Sequence, residues 1–152
     1  MREILFRGKR VDNGEWVWGL PIKTYDTEIG KNSADYANPV PVVLMASGRI
    51  VLECGCDDVP YFNIDEYPIV NPETVGQYTG LSDKNGRNIF DGDVVRVYYP
   101  FDDPENCVVS WSKEGARWDF GGCDAYFCTP SKNCEIIGNI FDNPELLEGD
   151  KT

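Results

Sequence analysis

Asp83, Asp91 and Asp93 stand in one short run, "SDKNGRNIFDGD", and their type and spacing come nearest to chemistry in this chain. Paired carboxylates can act as general acid and base, or supply oxygen ligands to a divalent cation. Neither use finds partners nearby. EF-hand spacing is absent, and a chain without histidine excludes a Ser or Cys triad of the usual kind. Gly92 between two acids, directly before the alternating "DVVRVYY", predicts instead a turn whose carboxylates accept backbone N–H groups. Asp83 heads "DKNG", where it suits the first position of a turn, with Gly86 at a left-handed site.

The thiols are the second candidate. Cys54 and Cys56 together with Cys123, Cys128 and Cys134 offer enough sulfur for zinc, but the spacings are not the C-x2-C pairs of ribbons and knuckles. On a strand Cys54 and Cys56 share a face and act as small apolar side chains, and nothing places "CGC" at a helix N-terminus where thiolates are activated. The expectation is no catalytic residue, no metal and no cofactor.

A chain of 152 residues fits one domain or two small lobes and buries roughly 70% of its unfolded surface, so it needs no staples. The six cysteines do not form the framework of a small secreted protein, and "MREILFRGKR" lacks the apolar core of a signal peptide, which reads as cytoplasmic with reduced thiols. No apolar run approaches the roughly 20 residues that span a bilayer, so no membrane association is expected. A net charge of −12 argues against direct nucleic-acid binding, which depends on Lys and Arg. The charge is uneven. Up to Thr24, Arg2, Arg7, Lys9, Arg10 and Lys23 outnumber Glu3, Asp12 and Glu15, while the remainder is acidic. A solvated hairpin edge that discourages strand addition accounts for the basic start more simply than an anionic partner does.

The elements that must carry these residues read as strands. "EILFRG" and "EWVWGL" flank Asp12, Asn13 and Gly14 as a hairpin, and Trp16 and Trp18 share one strand face, expected to be half of a β core. Residues 25–41 read as an irregular excursion; "VPVVLM", a turn at Ala46 to Gly48 and "RIVLEC" read as a second hairpin. Pro68 breaks the next apolar run, and the lobe boundary is placed after Asn71, giving a β-hairpin lobe over 1–71 and a second lobe over 72–152. Pro72 and Glu73 mark a weak helical start. "GQYTGL" and "RNIF" form a hairpin about Asp83–Gly86, and "CVVSWS", "ARWDFG" and "CEIIGNIF" add three more strands. The class is mainly β, a β-rich α+β chain whose C-terminal lobe is a bent sheet or small open SH3-like barrel. Asn143 as N-cap and Pro144 behind it add a short C-terminal helical turn.

Three blocks, "REILFRGKRVDNGEWVWGLPI", "ETVGQYTGLSDKNGRNIFDGDVVRV" and "EIIGNIFDNPELL", stand in the order of YopX-like proteins of bacteriophages and prophages, which this chain resembles. The resemblance implies a phage accessory product in the host bacterial cytoplasm with a tendency to self-associate, and it carries over no catalytic residue. Most of the shared residues are turn and strand formers. Gln77, Tyr78 and Thr79 are not required by a turn and are the candidate partner-facing set. Trp16, Trp18, Leu146 and Leu147, together with unpaired strand edges, are the candidate contacts of a homo-oligomer.

Three function classes remain open. The leading one is a self-associating interaction module that contacts an unknown phage or host protein. The second is an acidic mimic of nucleic acid that occupies a basic host protein. The third is a metal protein or enzyme built on the aspartates or thiols.

Overall fold

The computed structural model describes residues 3–26, 40–54, 60–66, 68–121 and 130–147. The chain is mostly antiparallel β and divides into two units, Leu5–Val75 and Gly76–Thr152, the second including Met1–Ile4.

In the first unit, β1 (Phe6–Lys9) and β2 (Trp16–Asp26) form the N-terminal hairpin, with Arg7 opposite Trp18 and Lys9 opposite Trp16. Gly14 takes φ +73° in the connection, and its N–H donates to the Arg10 carbonyl. The sheet continues through β3 (Val40–Cys54) to β4 (Pro60–Glu66), in the order β4-β3-β2-β1. The turn expected at Ala46 to Gly48 does not exist: β3 runs through it as one 15-residue strand. What happens there is a change of partner. Val40–Ala46 pairs with β2, Ser47–Cys54 pairs with β4, and the register slips between Ser47 and Ile50. Small residues that read as a turn are here the irregular step of a long strand. Pro68 does interrupt the run after β4, and β5 (Ile69–Val70) resumes pairing farther along β3.

Val43, Met45 and Val70 form this unit's buried core, with Phe6, Val17 and Val75 packed against it. Gly8 belongs to the same face, where a Cβ would lie 3.0 Å from Val70 and 3.1 Å from Met45. Because successive side chains alternate, Val17 inward places Trp16 and Trp18 outward. The expectation that the tryptophans form core is therefore overturned, since Trp18 is 51% exposed. Period two identifies two faces, but the inner one is set by the missing side chain of Gly8, which lets Met45 and Val70 approach.

In the second unit, β6 (Gly76–Ser82) and β7 (Asn88–Phe90) form a hairpin, preceded by a 3-10 turn over Pro72–Thr74 that Asn71 caps. A four-stranded sheet follows, in the order β10-β9-β8-β11, built from β8 (Asp93–Val97), β9 (Glu105–Ser112), β10 (Arg117–Phe120) and β11 (Cys134–Asn139). Among the described residues β10 and β11 do not join, so this is an open bent sheet and not a closed barrel. Ile89, Val95, Val97, Cys107, Val109, Phe120 and Cys134 fill its core. The expected terminal turn is present as a 3-10 turn over Pro144–Leu147.

Candidate functional site

At the second unit's hairpin, the Asp83 N–H donates to the Arg87 carbonyl at 2.8 Å and the Gly86 N–H to the Asp83 carbonyl at 2.9 Å, with Gly86 at φ +80°. The local chemistry follows the sequence. The tertiary role does not, because the Asp83 side chain is fully buried. Its Oδ1 accepts the Asn85 and Arg87 N–H groups, both at 2.9 Å; its Oδ2 accepts Arg87 Nε at 3.0 Å and, from another strand, the Ile136 N–H at 3.1 Å. Arg87 Nη2 in turn donates to the Ile136 carbonyl at 2.6 Å, and the Lys84 N–H donates to the Cys134 carbonyl at 3.0 Å. The turn thus occupies the outer hydrogen-bonding edge of β11, whose other edge pairs with β8. A strand edge that would otherwise invite a foreign strand is closed by a carboxylate, a guanidinium and a backbone N–H.

Burial pushes the Asp83 carboxyl up, but the N–H donors of Arg87, Ile136 and Asn85 and the Arg87 side chain outweigh it and hold it below its ordinary value of 3.8. The sign of the linkage follows. A group whose folded-state pKa is depressed stabilises the fold fully above its unfolded value and loses that contribution as pH falls through the folded one. Urea midpoints of the wild type should therefore fall on acidification below 3.8, and the gap between wild type and Asp83→Asn should narrow over that range. A gap that stays constant down to the acid limit would show that Asp83 does not carry this dependence.

Around the turn lies an exposed polar set. Lys84 Nζ is 2.6 Å from Glu135 Oε2 and 4.4 Å from the centre of the Tyr98 ring, and Tyr98 donates to the same carboxylate at 3.3 Å. Hydrogen bonding to Lys84 lowers the pKa of Glu135, and the same bond raises that of Lys84. The groups satisfy one another at the surface, an arrangement that holds the edge cover in place.

Asp93 serves the turn through its carboxylate, as expected, while Asp91 takes part through its backbone N–H. Asp93 is buried, and its Oδ2 accepts the Phe90 N–H at 2.8 Å, while the Asp91 N–H reaches the Gln77 carbonyl at 2.9 Å and the Gly92 N–H the Val109 carbonyl at 2.9 Å. Gly92 has φ +80°, and a Cβ on it would stand 3.1 Å from Phe141. Gly76 passes the Asp91 carbonyl so closely that a Cβ would lie 2.5 Å from its oxygen.

Of the candidate partner-facing residues, Gln77 and Tyr78 are half-buried, and the Tyr78 ring lies 5.6 Å from that of Phe90. Thr79 is not at the surface. Its hydroxyl donates to the Ile89 carbonyl at 2.9 Å and accepts the Leu81 N–H at 3.1 Å, standing in for ladder bonds lost where the β6–β7 register slips between Tyr78 and Ser82. The terminal leucines separate too. Leu146 packs so tightly on Gly138 that a Cβ there would sit 2.7 Å from it, and its carbonyl accepts Asn106 Nδ2 at 3.0 Å; Leu147 is exposed.

Trp16, Trp18 and Leu20 remain together on the outer face of β2, the last 45% exposed, with the Arg7 guanidinium 4.7 Å from the Trp16 ring centre. Cys107 and Cys134 are buried free thiols in the core, and Cys56, Cys123 and Cys128 lie outside the described residues. Among the described residues no three His, Cys, Asp or Glu side chains gather as metal ligands would. None of their helices is long and apolar enough to cross a membrane.

The described residues define an antiparallel β protein of two units, in which Asp83 and Asp93 are engaged in turns and the outer β2 face displays aromatic surface. The chain belongs to the YopX family: the model described as "YopX protein" matches residues 52–148. Among solved structures, the crystal structure of protein EF1440 from Enterococcus faecalis is similar with a TM-score of 0.56 at 23% identity, covering 97% of this chain and 99% of that one, a likeness of fold alone. No curated protein matches the chain significantly.

Proposed function

We propose that this YopX-family chain is a self-associating interaction module, an accessory protein of a phage or prophage that works in the host bacterial cytoplasm without catalysis of its own. The observation that carries the reading is the outer face of β2, where Trp18 and Leu20 stand exposed beside Trp16. Large apolar side chains adjoining on a sheet face are more readily buried against another chain than left wet. In this reading copies of the chain join through that face, and the assembly presents a phage or host protein with a repeated surface. The test is light scattering of wild type and the double variant Trp18→Ser/Leu20→Ser at micromolar concentration. The wild type is expected above the mass of one chain and the variant close to it, with melting temperatures alike because neither side chain lies in the core. An unchanged mass in a folded variant would exclude this face.

A second reading draws on the net charge of −12, with the chain imitating nucleic acid to occupy a basic host protein. It predicts binding that DNA competes away, which the interaction module does not.

A further inference from the structure

The four-stranded sheet of the second unit has one edge closed and one open. On β11 the Asp83 carboxylate and the Lys84 N–H take up the outward Ile136 N–H and Cys134 carbonyl. Among the described residues β10, at the other end, has β9 as its one strand neighbour. The ladder fixes which of its backbone groups face outward. The Tyr98 N–H bonds the Asn133 carbonyl, so even-numbered residues of β8 face β11 and odd-numbered ones face β9. Carried through the registers, this bonds Arg117 and Asp119 to β9 and turns the N–H and C=O of Trp118 and Phe120 to the open side. The side chains of Trp118 and Phe120 lie on the core face, across from Trp111 and Val109. Trp111 is 46% exposed and meets Trp118 edge to face at 5.2 Å, and the buried Trp118 indole N–H has no acceptor among the described residues.

We infer that β10 pairs antiparallel with β10 of a second copy about a two-fold axis, joining the two sheets into one. The inference rests on the self-association reading but names a contact separate from the β2 face. Backbone donors and acceptors held in strand conformation call for another strand. The usable edge is short, because Ala116 at φ +46° and Gly121 at φ +77° end it on either side. Centred on Asp119, the same segment of a second copy sets Trp118 opposite Phe120 and Phe120 opposite Trp118, so both N–H and both C=O groups of each copy are bonded. A foreign strand would close the edge of one copy only. With β11 covered in both copies, the pairing also stops at two. Its apolar part is a Trp118–Phe120 pair on either side of the axis, bordered by Trp111. On the other face the two Asp119 side chains oppose each other, which keeps the contact weak.

A short contact is tested above the micromolar range and with the β2 face removed, in full-length Trp18→Ser/Leu20→Ser. Sedimentation equilibrium should show this variant rising from the mass of one chain at about 10 micromolar toward that of two, and no further, at about 1 millimolar. Over the same range, amide exchange at Trp118 and Phe120 should slow by about threefold or more, because a bonded amide exchanges only from the unpaired fraction. Exchange at Asp119, bonded to β9 in either state, should not change. The wild type, scanned in the same way, covers the case of a variant that fails to fold: its Trp118 and Phe120 amides should slow as its mass rises. A wild type that associates while these two amides stay unprotected at every concentration would overturn the edge pairing and leave the self-association reading standing. Amides already protected where the chain is single would overturn it too, as would a variant mass that grows past two chains. A wild type and variant that are both single chains throughout would overturn both readings.

Discussion

Asp83→Ala should be strongly damaging to the second unit, lowering stability by about 2 to 4 kcal/mol, because a buried donor left without its acceptor costs about 1 to 3 kcal/mol and more than one is orphaned. The size follows from what is orphaned. The Asn85, Arg87 and Ile136 N–H groups and the Arg87 side chain all lose their acceptor, and the Ile136 N–H lies on a strand edge with no ladder partner of its own on that side. Asp83→Asn keeps an acceptor for the turn N–H groups but turns an amide donor toward Ile136 and Arg87, and should fall between wild type and alanine. Arg87 is half-exposed and contributes less, so Arg87→Ala should cost only about 1 to 2 kcal/mol. Urea denaturation of the three variants checks the order. An Asp83→Ala variant as stable as Arg87→Ala would mean that the edge of β11 needs no cover. The same alanine variant should aggregate on mild heating, because uncovering β11 restores an edge open to strand addition.

Gly92→Val is the second large effect, expected to destabilise by about 2 to 4 kcal/mol. A β-branched residue at φ +80° is strained wherever it sits, and here its Cβ also meets Phe141 at 3.1 Å. Asp93→Asn beside it should be mild by comparison, since the amide oxygen can still accept the Phe90 N–H. The contrast separates two roles for the Asp91–Asp93 pair. If carboxylate charge mattered, as for a bound divalent cation, the asparagine would be the harmful change and the valine only secondarily so. Thermal melts of both variants, with and without added calcium or magnesium, decide between them.

The hairpin turns were legible because their chemistry is local. Asp83, Gly86 and Gly92 are each needed within a few residues of where they stand, and the terminal turn announces itself through Asn143 and Pro144. What the sequence withheld depends on partners far along the chain. Ile136 lies 53 residues from Asp83, so nothing in "DKNG" reveals that its carboxylate closes a sheet edge. Thr79 stands among the partner-facing candidates because the turn does not require it, and its hydroxyl is instead taken up inside by the Ile89 carbonyl where the β6–β7 register slips. Trp16 and Trp18 looked like core by size and alternation. Deciding which face is inner required knowing that Gly8 lets Met45 and Val70 close on the hairpin from the other side. The step in β3 read as a turn for the same reason, since a change of pairing partner leaves no mark on residues that would also suit a loop.

Self-association is the claim built on the exposed Trp18 and Leu20 of the outer β2 face. Sedimentation equilibrium of the unmodified chain, diluted through the micromolar range, tests that claim most directly. The account predicts a weight-average mass above that of one chain which falls toward it on dilution. A mass equal to one chain at every concentration would contradict it.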